Sequence, residues 1–263
     1  MGYVLNQICF AYDQKQVFEN LAITFKKGYF YGILGPNGCG KTTLLDLLFN
    51  YHRPNKGHIV FHGKPINTYS RQSLSQLIAL VPQDFDIQFP FLVDEIVMMG
   101  RYPHLPRFSR PREEDISMVQ QVLKKTGTWK LKNRMITELS KGEKQRVVFA
   151  RALAQDTEML LLDEATANLD IAHSLHLLEL ARKGVTESGK TVIAVFHDIN
   201  LAAMFCDKII FMMNGDVFAQ GKVNQVLTSE NIKSVFHVNA KIQFDTETKT
   251  NQVIFKRAYE HDN

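Results

Sequence analysis

Gly35-Pro36-Asn37-Gly38-Cys39-Gly40-Lys41-Thr42 fits the pattern G-x-x-x-x-G-K-[ST] in the setting that pattern requires. An apolar run, Tyr29 to Leu34, leads into it, and an apolar helical stretch, Thr43 to Phe49, leads out. Strand, tight turn and helix start therefore follow in order. Glycines let the backbone wrap closely round an anion, so that successive N–H groups and the helix N-terminus face a phosphate. Lys41 is then placed to reach β- and γ-phosphates, and the Thr42 hydroxyl to ligate Mg²⁺. A glycine-rich turn that binds nothing needs neither the strand nor the helix.

Outward from that loop, strand-like runs alternate with helical patterns, which predicts an α/β fold with a mainly parallel sheet. Candidate buried strands are Tyr29 to Leu34, Leu77 to Val81, Met159 to Leu162, Thr191 to Phe196 and Ile209 to Met213. Their uninterrupted apolar character suits a sheet covered on both faces. Asn214-Gly215, between Ile209–Met213 and Val217–Ala219, is a two-residue hairpin signal, so the sheet is expected to end antiparallel there. Phe89 to Arg134 breaks the alternation and carries no strand pattern. Pro103, Pro106 and Pro111 punctuate a basic loop from Arg101 to Arg112, and a helix follows from about Arg112 to Thr126. Pro111 sits at its start, Glu113, Glu114 and Asp115 fill its first turn, and Lys124, Lys125 and Gly127 close it. Ile116, Val119 and Leu123 are its expected apolar face. The segment reads as a helical insertion between two parts of an α/β core. The last stretch, from about Gly221, holds a short helix and an alternating pair, Lys241 to Phe244 and Val253 to Lys256.

The chain has 263 residues, 45% hydrophobic and 22% charged, which is ordinary globular composition. Its net charge of +4 is too weak an excess to argue for nucleic acid. The longest apolar runs are far short of a bilayer span, and the N-terminus shows neither a basic-then-apolar leader nor a myristoylation pattern. Three scattered cysteines, Cys9, Cys39 and Cys206, suit a reducing compartment. A cytosolic chain is expected.

Two further motifs carry chemistry. Met159-Leu160-Leu161-Leu162-Asp163-Glu164 is an apolar strand delivering two carboxylates at its end. Asp163 suits the outer sphere of Mg²⁺, and Glu164 suits orienting or deprotonating a water. Leu139-Ser140-Lys141-Gly142-Glu143 reads both as a capping box, with Ser140 at N-cap and Glu143 at N3, and as a helix start facing a phosphate.

Taken together these residues resemble the ATP-binding cassette (ABC) family over nearly the whole chain. The phosphate loop matches Gly35 to Thr42, with Thr43 after it an implied nucleotide contact, the signature motif Leu139 to Glu143, and the acidic strand Met159 to Glu164. The glutamine loop resembles Val81-Pro82-Gln83, the D-loop Asn168-Leu169-Asp170, the switch histidine His197, and the adenine-stacking aromatic Tyr12. The resemblance implies a RecA-like core of mainly parallel sheet, with an antiparallel β part and a helical subdomain. It divides the chain into 1–88 and 139–220 as two pieces of an ATPase core, 89–138 as the helical subdomain and 221–263 as a C-terminal appendage. It implies ATP and Mg²⁺ as ligands. Glu164 would be general base, and His197 would hold the γ-phosphate and attacking water. Lys41 would neutralise phosphate charge, Thr42, Asp163 and Gln83 would manage Mg²⁺, and Ser140, Gly142 and Asp170 would complete the site of a second copy. Two positions depart from the family: Lys141 where the signature has glycine, and Ala165 where the acidic turn has proline. Activity is expected to survive both.

Three smaller readings accompany these. His173 and His176 read as a solvated helix face rather than metal ligands, and His58 and His62 as exposed on one face of a short strand. Cys39, inside the phosphate loop, is expected to let a thiol reagent block ATP.

Val93 to His104, ending Gly100-Arg101-Tyr102-Pro103-His104, resembles the importer cassettes for iron–siderophore, haem and cobalamin, as does the tail from Val226 to Val238. The implied partners are a second copy of the chain, a polytopic membrane permease and, indirectly, an extracytoplasmic substrate-binding protein. The implied place is the cytoplasmic face of a membrane. Phe89 to Met99 would line the groove that receives the permease, or else Phe91, Val93, Ile96 and Val97 pack the small subdomain; both readings stand. The alternative function is a soluble ABC ATPase of an assembly machine, such as iron–sulfur cluster assembly.

Overall fold

The computed structural model describes residues 2–85, 87–106 and 109–256. Arg107 and Phe108 of the basic loop, and residues 257–263 of the appendage, lie outside the described residues. In chain order the strands are β1 (Tyr3–Tyr12), β2 (Lys15–Phe25), β3 (Phe30–Leu34), β4 (Lys56–Phe61), β5 (Lys64–Pro65), β6 (Ile78–Val81), β7 (Met159–Asp163), β8 (Thr191–Val195), β9 (Lys208–Met213), β10 (Asp216–Lys222), β11 (Ala240–Asp245) and β12 (Thr250–Phe255). The helices are α1 (Lys41–Leu48), α2 (Arg71–Ser75), α3 (Val93–Met98), α4 (Glu113–Lys125), α5 (Lys141–Ala154), α6 (Ile171–Ser188), α7 (Ile199–Phe205), α8 (Val223–Val226) and α9 (Ser229–Phe236). Two compact units result, residues 1–68 with 193–263, and residues 69–192; β8 runs out of the second into the first.

In the first unit an antiparallel sheet runs β2-β1-β4-β5. Alternation along β1 buries Tyr3, Leu5, Ile8 and Phe10, with a register shift between Leu5 and Ile8 where Gln7 adopts positive φ. In the same unit β3, whose five residues are all buried, lies between β9 and β8 and is parallel to β9. The expected hairpin is present: β9 and β10 pair antiparallel through Asn214 and Gly215, both with positive φ. Only glycine serves at position 215, because a Cβ there would lie 1.9 Å from the Val17 carbonyl oxygen. β11 and β12 form a separate hairpin. His62 departs from its expectation: it follows β4 rather than belonging to it, and its half-buried ring lies on Phe61 at 4.1 Å, while His58 is exposed.

In the second unit β6 and β7 are parallel, in register from Ile78↔Met159 to Val81↔Leu162. α3, α4 and α5 pack around Val93, Ile96, Val97, Val119, Leu123 and Val147. α4 begins one residue later than expected, with Arg112 as its N-cap and Pro111 before it. Its buried stripe is Asp115, Val119, Val122 and Leu123, while Ile116 is exposed. At 100° per residue Ile116 falls on the rim of that stripe, not its centre.

Candidate functional site

In the first unit, β3 delivers the phosphate loop and α1 takes over from it at Lys41. Gly35 passes so close to β9 that a Cβ would lie 2.2 Å from the Met212 carbonyl oxygen. Gly40 is the N-cap of α1 at φ 101°, with Phe18 filling the space any side chain would need. With no side-chain cap, the helix start presents backbone N–H groups to an anion. Lys41 is almost fully buried, and its Nζ donates to Gly35 O at 2.8 Å and Pro36 O at 3.0 Å. Its ammonium is thereby folded back over the loop that would hold a phosphate. Cys39 is buried, and burial pushes its thiol above the ordinary range even though the Lys41 charge pulls the other way. The thiolate is the form that reacts with thiol reagents, so this burial slows the expected reaction without precluding it.

Tyr12 closes β1 with an exposed ring, met edge-on by Phe10 at 4.9 Å and His52 at 5.2 Å. His197 is exposed two residues past the end of β8. Phe196 before it donates its N–H to Ile33 O, and Asp198 after it caps α7 by accepting from the Asn200 and Leu201 N–H groups.

The second unit carries the acidic strand. Asp163, the last residue of β7, is buried, and Glu164 follows at φ 47°. A positive φ on a glutamate is uncommon and marks a site held by its surroundings. Gln83 Nε2 donates to Glu164 Oε2 at 2.7 Å, so the glutamine loop and the acidic turn meet. The Gln83 carbonyl oxygen, the hard donor that Mg²⁺ prefers, is not the atom used in that bond. Within this unit the Asp163 carboxylate and the Gln83 amide oxygen are hard oxygen donors, which suit Mg²⁺ rather than a softer metal.

The capping box at the start of α5 is present. Ser140 Oγ accepts from Glu143 N–H at 3.3 Å, and Glu143 Oε2 accepts from Ser140 N–H at 2.9 Å. That second bond is the main reason the Glu143 carboxyl lies below its usual range. At Gly142 a Cβ would lie 3.1 Å from the Asn168 carbonyl oxygen, so the signature turn packs on the D-loop. Asp170 caps α6 and accepts from His173. Arg146 can only donate, so His173 Nε2 accepts from it at 2.9 Å and the ring proton sits on Nδ1, facing Asp170. His176 bonds the Lys125 carbonyl instead. Both side chains reach solvent, as expected of a solvated face, and each also has its own protein partner. Lys141 lies 3.7 Å from Asp84, an exposed pair worth little, and Ala165 is buried.

Sequence reasoning missed the role of Gly100, Arg101 and His104. A Cβ at Gly100 would lie 2.3 Å from Arg151 O, so the chain crosses close over the end of α5. There Arg101 donates to Ala154 O at 2.8 Å and His104 Nε2 donates to Gln155 O at 2.7 Å. These are last-turn carbonyls that a helix leaves unpaired. The second unit also holds a groove of about 320 Å³ lined by Phe91, Met98, Met99, Tyr102, Ile116 and Trp129 among others. Val93, Ile96 and Val97 are fully buried and pack the subdomain, so for these three the packing reading holds; Phe91, Met98 and Met99 line the groove.

The ABC transporter family model matches residues 18–167. The chain is 41% identical over 226 residues to the uncharacterized ABC transporter ATP-binding protein YvrA of Bacillus subtilis (strain 168), covering 86% of this chain and 51% of that one, about half the relative's length. It is 37% identical over 242 residues to the iron(3+)-hydroxamate import ATP-binding protein FhuC of the same organism, covering 92% and 90%. A solved inward-facing conformation of a metal-chelate type ABC transporter superposes with TM-score 0.82 at 30% identity, over 97% of each chain. A dimeric post-hydrolysis state of the cassette MJ0796 bound to ADP and Pi superposes with TM-score 0.74 at 28% identity, over 84% of this chain and 98% of that one.

Proposed function

This chain belongs to the ABC transporter family, and on that premise we propose that it is the ATP-hydrolysing subunit powering import of a metal chelate or corrinoid through a separate membrane permease. The observation that carries the ATPase part is the Lys41 ammonium held across a loop in which Gly35 and Gly40 leave no room for a side chain. The import part is supported by the likeness to the iron-hydroxamate import protein over 92% of this chain. No described helix is long and apolar enough to cross a membrane.

In this reading Tyr12 stacks on adenine, and backbone N–H groups from Gly35 to Thr43, including those of Asn37, Gly38 and Cys39, take the phosphates. Lys41 leaves the loop carbonyls for the β- and γ-phosphates. Mg²⁺, when bound, neutralises phosphate charge, and Thr42, Asp163 and Gln83 would hold it. Glu164 takes a proton from the attacking water as the water oxygen bonds to γ-phosphorus and the bond to ADP breaks. His197 holds the γ-phosphate and that water. Ser140 and Gly142 complete the site of a second copy, with Asp170 at the same junction, in the dimeric arrangement seen for the cassette MJ0796. The groove beside Met98 and Met99 receives the permease on the cytoplasmic face of the membrane.

Glu164→Gln is expected to bind ATP and dimerise while hydrolysing about 10²–10⁴-fold more slowly. Hydrolysis at the parental rate would remove Glu164 as the base. For the coupling, the tagged chain is solubilised gently from its own cells and its companions identified by mass spectrometry. A polytopic permease is expected. Soluble partners alone, from a preparation that retains other transporter complexes, would overturn the import reading in favour of an assembly machine.

A further inference from the structure

One side chain ties the C-terminal hairpin to the segment carrying His197. The Asn200 carboxamide accepts from Val253 N–H at 2.7 Å and donates to Val253 C=O at 3.3 Å. Val253 stands opposite Ile242 in the hairpin register. With both its polar groups turned toward Asn200, it forms a non-hydrogen-bonded pair with Ile242. The amide therefore acts as a one-residue third strand on the outer edge of β12. The segment is fixed elsewhere too. Upstream, Phe196 N–H reaches Ile33 O at 3.0 Å; beyond α7, Asp207 N–H donates to Phe30 O and its carboxylate accepts from Phe30 N–H, both at 2.8 Å. His197 lies exposed, beside Asp198, between the β3 ladder and the Asn200 clamp.

We propose that Asn200 is a positioning residue for ATP hydrolysis, through which the C-terminal hairpin holds His197 in its working place. Apolar contact alone would dock a hairpin. A bidentate amide–peptide match also fixes its register against α7, three residues from the histidine. The proposal rests on the reading of His197 as the γ-phosphate contact.

The test uses the full chain, with Asn200→Ala and, from the other side of the contact, Val253→Pro. The proline deletes an N–H that β11 does not use, on an edge where proline is tolerated. The readouts are the ATPase kcat and KM, and the imidazole Hε1 signal of His197 in a ¹H–¹³C spectrum, assigned by its loss in His197→Gln. Asn200→Ala, which loses both hydrogen bonds, is expected to lower kcat about tenfold, and Val253→Pro, which loses the N–H bond alone, about three- to tenfold, each with KM for ATP within twofold. Both should shift the His197 signal while leaving the other histidines in place. If Asn200→Ala fails to fold, Val253→Pro decides. A signal that stays put, or a loss carried entirely in KM, would overturn the clamp. A wild-type chain without ATPase activity would instead overturn the reading beneath it, whatever the spectrum shows.

Discussion

Asp115→Ala should destabilise the chain by an amount the structure lets one work out. The carboxylate is almost fully buried and does two things at once: it accepts from Arg101 Nε at 2.9 Å and from Arg112 N–H at 3.0 Å, closing the first turn of α4. Removing it strands the Arg101 guanidinium, whose side chain is only 14% exposed. Stripping one partner from a buried ion pair costs about 3–5 kcal/mol. Arg101 keeps its bond to Ala154 O, which favours the lower figure, while the lost helix cap adds about 1 kcal/mol. The sum is roughly 4 kcal/mol, or a drop in Tm of about 8–16 °C for a chain of this size. The pH dependence has a definite sign. The Arg112 N–H bond first, and the Arg101 charge after it, hold the Asp115 carboxyl below its usual range. A depressed carboxyl stabilises the fold above its unfolded pKa and loses that contribution as pH falls through its folded pKa. The Tm gap between parent and variant is therefore widest at neutral pH and narrows below about pH 4. Thermal melts followed by circular dichroism at matched ionic strength measure it. A neutral-pH gap under 2 °C, or one that widens on acidification, would refute the reasoning.

Two shorter predictions concern the loop and the groove. At neutral pH a thiol reagent should label Cys39 far more slowly than half-buried Cys9. Burial disfavours the Cys39 thiolate, so its labelling should accelerate as pH rises and stop when ATP is bound; labelling of Cys39 ahead of Cys9 at neutral pH would show that the loop is not packed as described. Met98→Glu should leave ATPase activity intact while reducing recovery of the permease about 100-fold, because an unpaired carboxylate in an apolar contact costs a few kcal/mol. Unchanged assembly would remove the groove as the docking face.

How much of this was legible in the sequence depends on how far away each residue's partner lies. The phosphate loop, the Asn214-Gly215 turn and the Ser140–Glu143 box are each decided within a few residues, by steric limits on φ or by a side chain reaching its own backbone, and they could be read directly. Glu164 and Gln83 were named separately as site residues, but their bond spans 81 positions and only the fold brings them together. The two ends of α5 show the same division. Its start announces itself in Ser140 and Glu143. Its end is closed by Arg101 and His104, more than fifty residues upstream, in the stretch that the sequence allowed to be read only as a resemblance to importer cassettes. Orphan carbonyls accept from whatever donor the fold supplies, so no local pattern identifies that cap. The helix that begins after Ser140 is therefore held at both ends, by a box of its own making and by the segment whose sequence resembles importer cassettes.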